Sequence, residues 1–190
     1  MSAISCMVFD VDGVLTDGGI SITDAGDEIK TFNSRDGHGM KLLMRAGIEV
    51  AILTGRTSRV VEHRARELGI THVVQGARDK RVALLDLAER IGIDPAAMAY
   101  MGDDVVDLPP MVLCGLTFAP ADAVDMVREL ADVGATAPAA AGAHGRAVPG
   151  HPLGPRRCGV ATAHAHAPDG HPHLTPACLG RAVAPCRRAA

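Results

Sequence analysis

The sequence predicts an α/β domain built on a doubly wound parallel sheet. Short apolar segments alternate with longer segments of helical period over residues 5–130, which is typical of a parallel sheet with helices on both faces. Glycine directly follows several helical segments, as it commonly does where helices end. Acidic and hydroxyl residues follow the apolar segments, and ligands of such sheets bind beyond the carboxyl ends of the strands.

Five short apolar segments are predicted to be the strands, since their length and their Val, Ile, Leu, Met and Phe content suit buried strands. They cover residues 5–9, 49–53, 72–74, 97–101 and 116–118. Residues 20–23 and 28–32 predict a β-hairpin around a glycine-containing turn. Helices are predicted over residues 37–46, 58–68, 80–91, 105–113 and 123–130. Pro109 and Pro110 are expected to bend the fourth helix.

The composition changes near residue 133, which divides the chain into a domain over residues 1–132 and a tail over residues 133–190. The tail is rich in Ala, Pro, Gly, His and Arg, and it contains eight of the twelve prolines. Such a segment buries too little apolar surface to offset its ordering entropy. We therefore predict that the tail is mostly disordered and forms no closing strand. Translation in the wrong frame of a GC-rich gene would also explain it.

Composition also limits the classes of partner. The formal net charge is −3 at pH 7, so the sequence predicts no nucleic-acid or anionic-membrane footprint. No apolar run approaches the length of a bilayer span, and the first residues lack the pattern of a signal peptide. A cytoplasmic location is expected. The five scattered cysteines form no CxxC pair and indicate neither a disulfide framework nor a zinc site.

Charged and hydroxyl residues gather in order at the predicted strand ends. The first strand is followed by Asp10 and Asp12, the second by Thr54 and Gly55, and Lys80 begins the helix after the third. The fourth strand is followed by Asp103 and Asp104, with Asp107 one turn further along. Each residue alone has an ordinary explanation, such as a helix cap or a solvated turn. Their joint occurrence at one edge of one sheet predicts an active site.

These residue types suit phosphoryl transfer through Mg²⁺, because hard carboxylate oxygens bind that ion and positioning dominates the catalysis. Asp10, Asp103 and the backbone carbonyl of Asp12 are predicted to hold the metal. Asp10 is the predicted nucleophile, and Asp12 the predicted general acid and base.

The phosphate oxygens are predicted to contact Thr54, Gly55 and Lys80. Asp104 and Asp107 are predicted to orient the groups around the metal rather than bind it.

Other readings of these motifs are weaker. The segment from Asp10 to Gly13 lacks the later acidic positions of an EF-hand loop, and no GxxxxGK[ST] segment is present. A two-component receiver domain, which is a signalling module, also uses an acidic cluster, a Thr and a Lys. Here, however, the Thr follows the second strand and the Lys precedes the fourth, so the order disfavours that class.

The same residues resemble the haloacid dehalogenase superfamily: Asp10-Val-Asp12-Gly, Leu-Thr54-Gly, Lys80, and Gly-Asp103-Asp104 with Asp107. Residues 32–37, 75–76 and 99–104 further resemble the family of phosphatases of 3-deoxy-D-manno-octulosonate 8-phosphate, which act in lipopolysaccharide synthesis. The resemblance covers about residues 4–132. It implies a Rossmann-like, capless, Mg²⁺-dependent phosphatase that acts on a phosphorylated sugar acid.

The resemblance also implies a homotetramer in which the hairpin forms the central contact and a neighbour closes the active site. Arg56 resembles an arginine typical of the eight-carbon enzymes, and Arg64 one that reaches a substrate carboxylate from a neighbouring subunit. A solvated helix face would explain both equally well. The family's closing strand, Gly-rich loop and last helix are not recognisable after residue 132. Another sugar phosphatase of the superfamily, or a catalytically impaired relative, therefore remains an alternative.

Overall fold

The structure is a computed structural model that describes residues 4–136, 138 and 139. In chain order the strands are β1 (Cys6–Phe9), β2 (Ser21–Ile22), β3 (Glu28–Ile29), β4 (Glu49–Leu53), β5 (His72–Val74), β6 (Met98–Met101), β7 (Leu116–Ala119) and β8 (Val133–Gly134). The helices are α1 (Ser34–Arg45), α2 (Arg59–Leu68), α3 (Lys80–Ile91), α4 (Leu108–Met111) and α5 (Asp125–Leu130).

Six strands form one parallel sheet in the order β5-β4-β1-β6-β7-β8. The chain builds outward from β1 in one direction through β4 and β5, and in the other through β6, β7 and β8. The order reverses beside β1, and ligands of open parallel sheets bind at such a reversal. The predicted doubly wound sheet is confirmed.

Alternate residues of the central strand face opposite layers, because side chains in a strand point to alternate faces. Cys6 and Val8 pack in the cluster that contains α3 residues, and Met7 and Phe9 pack in the cluster that contains α1 and α2 residues. The sheet is therefore covered on both faces, which explains why its strands read as nearly continuous apolar runs.

Helix ends follow local capping chemistry. The side chains of Asn33, Ser58 and Asp79 accept backbone N–H bonds at the starts of α1, α2 and α3, as capping residues do. Because Asn33 caps α1, that helix begins before the predicted residue 37. Gly69 and Gly92 end α2 and α3 with φ of 82° and 69°, in the left-handed region that suits glycine. None of the helices in the described part of the chain is long and apolar enough to cross a bilayer.

The predicted helix over residues 105–113 is two short elements in the structure. Val105–Asp107 forms a 3₁₀ turn, and α4 follows it directly. Pro109 and Pro110 lie at the start of α4, where a missing N–H removes no intrahelical bond. The prolines therefore begin the second element instead of bending a single one.

The predicted hairpin is confirmed, although its paired part is shorter than expected. β2 and β3 form a separate antiparallel ribbon in which Ser21 pairs with Ile29 and Ile22 with Glu28. Within the described residues, this hairpin is the one insertion outside the main sheet and its helices and turns.

The prediction that no strand follows residue 132 is wrong. Val133 and Gly134 pair in parallel with the edge of β7, and Val133 is buried. Asp132, the residue before this strand, is bonded to Thr117 of β7. Its Oδ2 accepts from the Thr117 N–H at 2.9 Å and from the Thr117 hydroxyl at 2.8 Å, and its own N–H donates to the Thr117 hydroxyl at 2.9 Å. An open sheet edge offers unpaired backbone groups. Two residues can therefore pair with that edge as a strand, although the composition of the tail indicates disorder. The predictions for residue 137 and for residues 140–190, including the absence of the Gly-rich loop and last helix, lie outside the described residues.

Candidate active site

Neighbouring strands end at the residues that the sequence predicted to act together. Asp10 follows β1, Thr54 follows β4, and Asp103 lies two residues beyond β6. β1 lies between β4 and β6, and the Asp10 N–H donates to the Met101 carbonyl at 3.1 Å. The sheet therefore places these residues along one edge, with Asp10 in the middle.

Lys80 connects two of the carboxylates. Its Nζ lies 2.7 Å from Asp10 Oδ2 and 2.7 Å from Asp107 Oδ1, and all three side chains are buried. Lys80 is the first residue of α3, so the start of that helix delivers the ammonium group to the sheet edge. A buried lysine is stable only when its charge is paired, and two carboxylates pair this one.

Asp107 is fully engaged by hydrogen bonds. Its Oδ1 accepts from Lys80 and from the Tyr100 hydroxyl at 2.8 Å, and its Oδ2 accepts from the N–H groups of Asp103 and Asp104 at 3.2 and 3.3 Å. A carboxylate has about four lone-pair positions, and these donors use them. The Asp104 carboxylate is exposed and caps the 3₁₀ turn by accepting from the Val105 N–H at 2.7 Å.

Asp10 and Asp103, by contrast, each keep an oxygen available. Within the described residues, Asp10 Oδ1 and Asp103 Oδ1 are buried and accept no hydrogen bond. Asp10, Asp103 and Asp107 each offer a carboxylate oxygen within 4.8 Å of the others. Gly13 permits this approach, because a Cβ there would lie 2.0 Å from Asp103 Oδ2. Its φ of 83° also favours glycine.

The electrostatics of this group favour a bound cation. Burial, and then the charge of Asp107, raise the pKa of Asp10 to about 6, against the opposing effect of Lys80. Burial, and then Asp10 and Asp107, raise the pKa of Asp103 to about 7. Burial alone would lower the pKa of Lys80, but Asp10 and Asp107 outweigh it and raise that pKa. One ammonium group thus balances three clustered carboxylates only in part, and a divalent cation would relieve the remaining repulsion.

Asp12 lies in a second charged group, where the hairpin meets the loop after β4. Its Oδ1 accepts from Lys30 Nζ in a close contact, and its Oδ2 lies 3.8 Å from Arg56 Nε. Glu28 Oε1 lies 3.3 Å from Lys30 Nζ and accepts from Arg56 Nη2 at 3.0 Å. The predicted acid–base residue and the predicted specificity arginine are therefore neighbours.

Arg64 has different surroundings. It lies on α2, where it pairs with Glu67 at 2.8 Å, donates to the Asn33 carbonyl at 3.4 Å and lies over the Phe32 ring. These contacts surround a pocket between α1 and α2, which does not include the Asp10 cluster. The structure thus does not bring Arg64 together with Asp10 in this chain. The contact of Arg64 with a neighbouring subunit's substrate stays a prediction.

Thr54 and Gly55 lie where the phosphate contact was predicted. Thr54 is buried and donates its N–H to the Val74 carbonyl at 2.9 Å. Gly55 is exposed at the carboxyl end of β4, beside β1. The strand pairing therefore holds Thr54 in place, and Gly55 follows it on the exposed side of the strand end.

Sequence reasoning missed three contacting residues: Lys30, Glu28 and Tyr100. Glu28 and Lys30 are two residues apart and thus share one face of the extended hairpin segment, a pattern of two charges that could have been noted. Tyr100 precedes the Gly102-Asp103-Asp104 segment on a buried strand, where its hydroxyl needs a partner. In both cases the partner lies on another part of the chain.

Comparison with known proteins decides the family. The family model described as haloacid dehalogenase-like hydrolase matches residues 38–115. The 3-deoxy-D-manno-octulosonate 8-phosphate phosphatase of Escherichia coli is 46% identical over 129 residues, which are 68% of this chain and 69% of that protein. The chain belongs to the haloacid dehalogenase-like hydrolases. Within them, the chain is a phosphatase similar to those named for 3-deoxy-D-manno-octulosonate 8-phosphate.

Solved structures agree with this family assignment. The 3-deoxy-D-manno-octulosonate 8-phosphate phosphatase from Yersinia pestis superposes with a TM-score of 0.72 at 42% identity, covering 74% of this chain and 76% of that one. The one from Moraxella catarrhalis, solved with a magnesium ion, a phosphate ion and a KDO molecule, has a TM-score of 0.72 at 39% identity, covering 74% and 81%.

Proposed function

We propose that this phosphatase is a Mg²⁺-dependent phosphomonoester hydrolase that acts through an aspartyl-phosphate on Asp10. We further propose that its substrate is 3-deoxy-D-manno-octulosonate 8-phosphate, the compound named in its relatives. The observation that carries the proposal is the environment of Asp10. One of its oxygens contacts Lys80, and the other is buried without a hydrogen bond beside Asp103.

Asp10 and Asp103 fit a magnesium ion. Their unused oxygens are hard ligands of the kind that Mg²⁺ prefers, and that ion usually keeps several waters and binds substrate phosphate as well. With the backbone carbonyl of Asp12 they form the proposed ligand set. Asp107 has its oxygens committed to four donors, which supports a positioning role. A bound Mg²⁺ would neutralise carboxylate charge and stabilise the charge of the transferring phosphoryl group.

In the first step, an oxygen of Asp10 forms a bond to phosphorus as the ester P–O bond breaks. The leaving oxygen takes the proton of the Asp12 carboxyl group, which frees the sugar alcohol. In the second step, Asp12 accepts a proton from water, the water oxygen attacks phosphorus, and the bond between phosphorus and Asp10 breaks. Inorganic phosphate leaves, and both aspartates return to their starting forms.

The remaining residues stabilise the phosphate. Lys80 stays protonated between two carboxylates and supplies a positive charge beside Asp10. The Thr54 hydroxyl and the Gly55 N–H are proposed to donate to phosphate oxygens at the end of β4. Because phosphoryl transfer depends mainly on positioning and charge, these fixed donors supply the remaining transition-state contacts.

Arg56 and Arg64 are the proposed contacts to the sugar acid, since a planar guanidinium suits a carboxylate. Arg56 lies 3.8 Å from Asp12, so it can reach a substrate whose phosphate lies at Asp10. The relative from Moraxella catarrhalis binds a KDO molecule, which supports a sugar acid in this place. The cytoplasmic location remains a prediction.

We also propose that the protein forms a homotetramer through its hairpin. Ile20, Ile22 and Ile29 are 61%, 63% and 54% exposed, and an isolated two-stranded ribbon with exposed isoleucines is marginally stable in water. Phe32, by contrast, packs against the core. A partner subunit would cover the isoleucines and bring Arg64 of one subunit near the site of another.

Asp10→Asn tests the mechanism. The purified variant should lose at least about 99% of turnover, since nucleophile removal costs several orders of magnitude, while its circular dichroism stays unchanged. Acid-quenched wild type should carry an acyl phosphate that hydroxylamine removes, and the variant should not. Asp86→Asn, at an exposed position of α3, is the matched control and should keep full activity. Substantial turnover by Asp10→Asn would show that the nucleophile is another residue.

A further inference from the structure

A closed ring of four alternating charges links the hairpin to Asp12. Lys30 contacts Asp12 and Glu28, and Arg56 contacts the same two carboxylates. Lys30 and Glu28 come from the hairpin, Arg56 from the loop after β4, and Asp12 from the loop after β1. Since three separate segments meet here, the position of the Asp12 carboxyl group depends on the hairpin as well as on its own loop.

Lys30 is the most buried member of the ring. Its side chain is 3% exposed, compared with 22% for Asp12, 20% for Glu28 and 43% for Arg56. A lysine on a surface hairpin normally extends its charge into water, and burying the ammonium group is unfavourable unless it is paired. The packing of the hairpin thus directs this amine inward, onto Asp12.

Glu28 holds Lys30 in this position. The Ser58 side chain hydrogen-bonds the Glu28 carboxylate, and this bond, followed by the charges of Lys30 and Arg56, lowers the pKa of Glu28. Ser58 is buried and caps α2. The hairpin end of the ring is therefore tied to a fixed helix start.

We propose that Lys30 is a positioning residue for the acid–base step, an inference that rests on the proposed function. Its ammonium group holds Oδ1 of Asp12, while Oδ2 has only the looser 3.8 Å contact with Arg56. Oδ2 is therefore the oxygen that exchanges the proton with the leaving group and then with water. Without Lys30 the 3.8 Å contact with Arg56 is the one that the ring still gives Asp12, so its carboxyl group is less well fixed. Misplacement of a reacting group by about 1 Å can cost 10²-fold in rate.

This role affects some substrates more than others. A sugar alkoxide is a strong base and needs the proton of Asp12 as the P–O bond breaks. The p-nitrophenolate ion is a weak base and leaves without it. A residue that merely fastens the hairpin would, when removed, lower the rates of both substrates by the same factor. Binding of the sugar acid by Arg56 contributes to KM, so the two substrates are compared by kcat at saturation. The ratio of the two kcat values therefore separates positioning of Asp12 from general support of the fold.

The experiment compares wild type, Lys30→Met, Lys30→Arg and the control Lys41→Met, a half-buried lysine on α1 with no proposed role. For each, kcat is measured at saturating 3-deoxy-D-manno-octulosonate 8-phosphate and at saturating p-nitrophenyl phosphate in Mg²⁺. Lys30→Met should lower the ratio of the first to the second by at least about tenfold, a fraction of the 10² to 10⁴ that acid–base catalysis supplies. Lys30→Arg should restore it to within about threefold, and Lys41→Met should leave it unchanged.

Glu28→Gln covers the case in which Lys30→Met does not fold. It keeps the lysine but weakens its anchor, and it should lower the same ratio, to a smaller extent. An unchanged ratio in both Lys30→Met and Glu28→Gln, with equal losses on the two substrates, would overturn the inference alone. Wild type that hydrolyses neither phosphate would overturn the proposed function and the inference together.

Discussion

Removing the Asp107 carboxylate should destabilise the fold strongly, because four donors bond to this one buried group. It is fully buried and accepts from Lys80, from Tyr100 and from two backbone N–H groups. Asp107→Ala leaves Lys80 with Asp10 as its remaining partner and leaves the Tyr100 hydroxyl without its acceptor. A buried donor left without its acceptor costs about 1–3 kcal/mol. Several donors are affected here, while weaker repulsion on Asp10 and Asp103 offsets part of the loss, which leaves about 3–5 kcal/mol. We expect a loss in that range, which is a large fraction of the 5–15 kcal/mol of a typical domain.

The assay is urea denaturation followed by circular dichroism, in EDTA so that metal binding does not contribute, and at one protein concentration. Asp104→Ala is the matched control, because its carboxylate is exposed and only caps a turn. It should lose about 1 kcal/mol, as cap removal typically does. If Asp107→Ala lost no more than Asp104→Ala, the buried network would not hold the site together as argued.

Four further outcomes follow. Activity should require Mg²⁺ and fall when Ca²⁺ is added, because Ca²⁺ accepts looser coordination; full activity in EDTA would contradict the proposed metal site. Arg56→Glu should lower the preference for the eight-carbon sugar acid phosphate over glucose 6-phosphate by about tenfold, because the change reverses a charge that faces the substrate. The same preference in wild type and Arg56→Glu would show that Arg56 does not take part in substrate recognition. Ile22→Asp should reduce the assembly's mass in light scattering, and wild type that is already monomeric would exclude the tetramer. Burial, against the charge of Arg64, raises the pKa of Asp36 from 3.8 to about 6, so its protonated form favours folding and this stabilisation is lost as pH rises from about 4 through 6. In urea titrations Asp36→Asn should then be more stable than wild type at pH 7 by about 2–3 kcal/mol, and a pH-independent difference would contradict this.

Most of the strands could be predicted from the sequence because the pattern that identifies a strand lies within its own residues. Residues 49–53 and 72–74 were predicted as strands with the bounds that the structure has. A strand buried on both faces is apolar at nearly every position, so its ends are marked by the first polar residue. Asp10 and Thr54 are such residues, and for that reason the same pattern indicated both the strand ends and the candidate site.

The closing strand could not be predicted in this way. The composition after residue 132 indicated disorder, yet Val133 and Gly134 pair with β7. Their pairing depends on the open edge that β7 presents and on the bonds between Asp132 and Thr117. The composition of a segment describes what it can bury by itself, and it contains no information about an edge formed by other residues.

The sequence by itself predicted the residues that we propose for phosphoryl transfer, and it determined at which edge of the sheet they lie. Strand order and the position of each side chain after its strand are sufficient for that. Only the tertiary structure decided which charged residues pair with one another. Lys80 meets Asp107 across 27 residues, and Lys30 meets Asp12 across 18. Such contacts arise because packing excludes water from these amines and leaves them the nearest carboxylates as partners, and packing is a property of the whole fold.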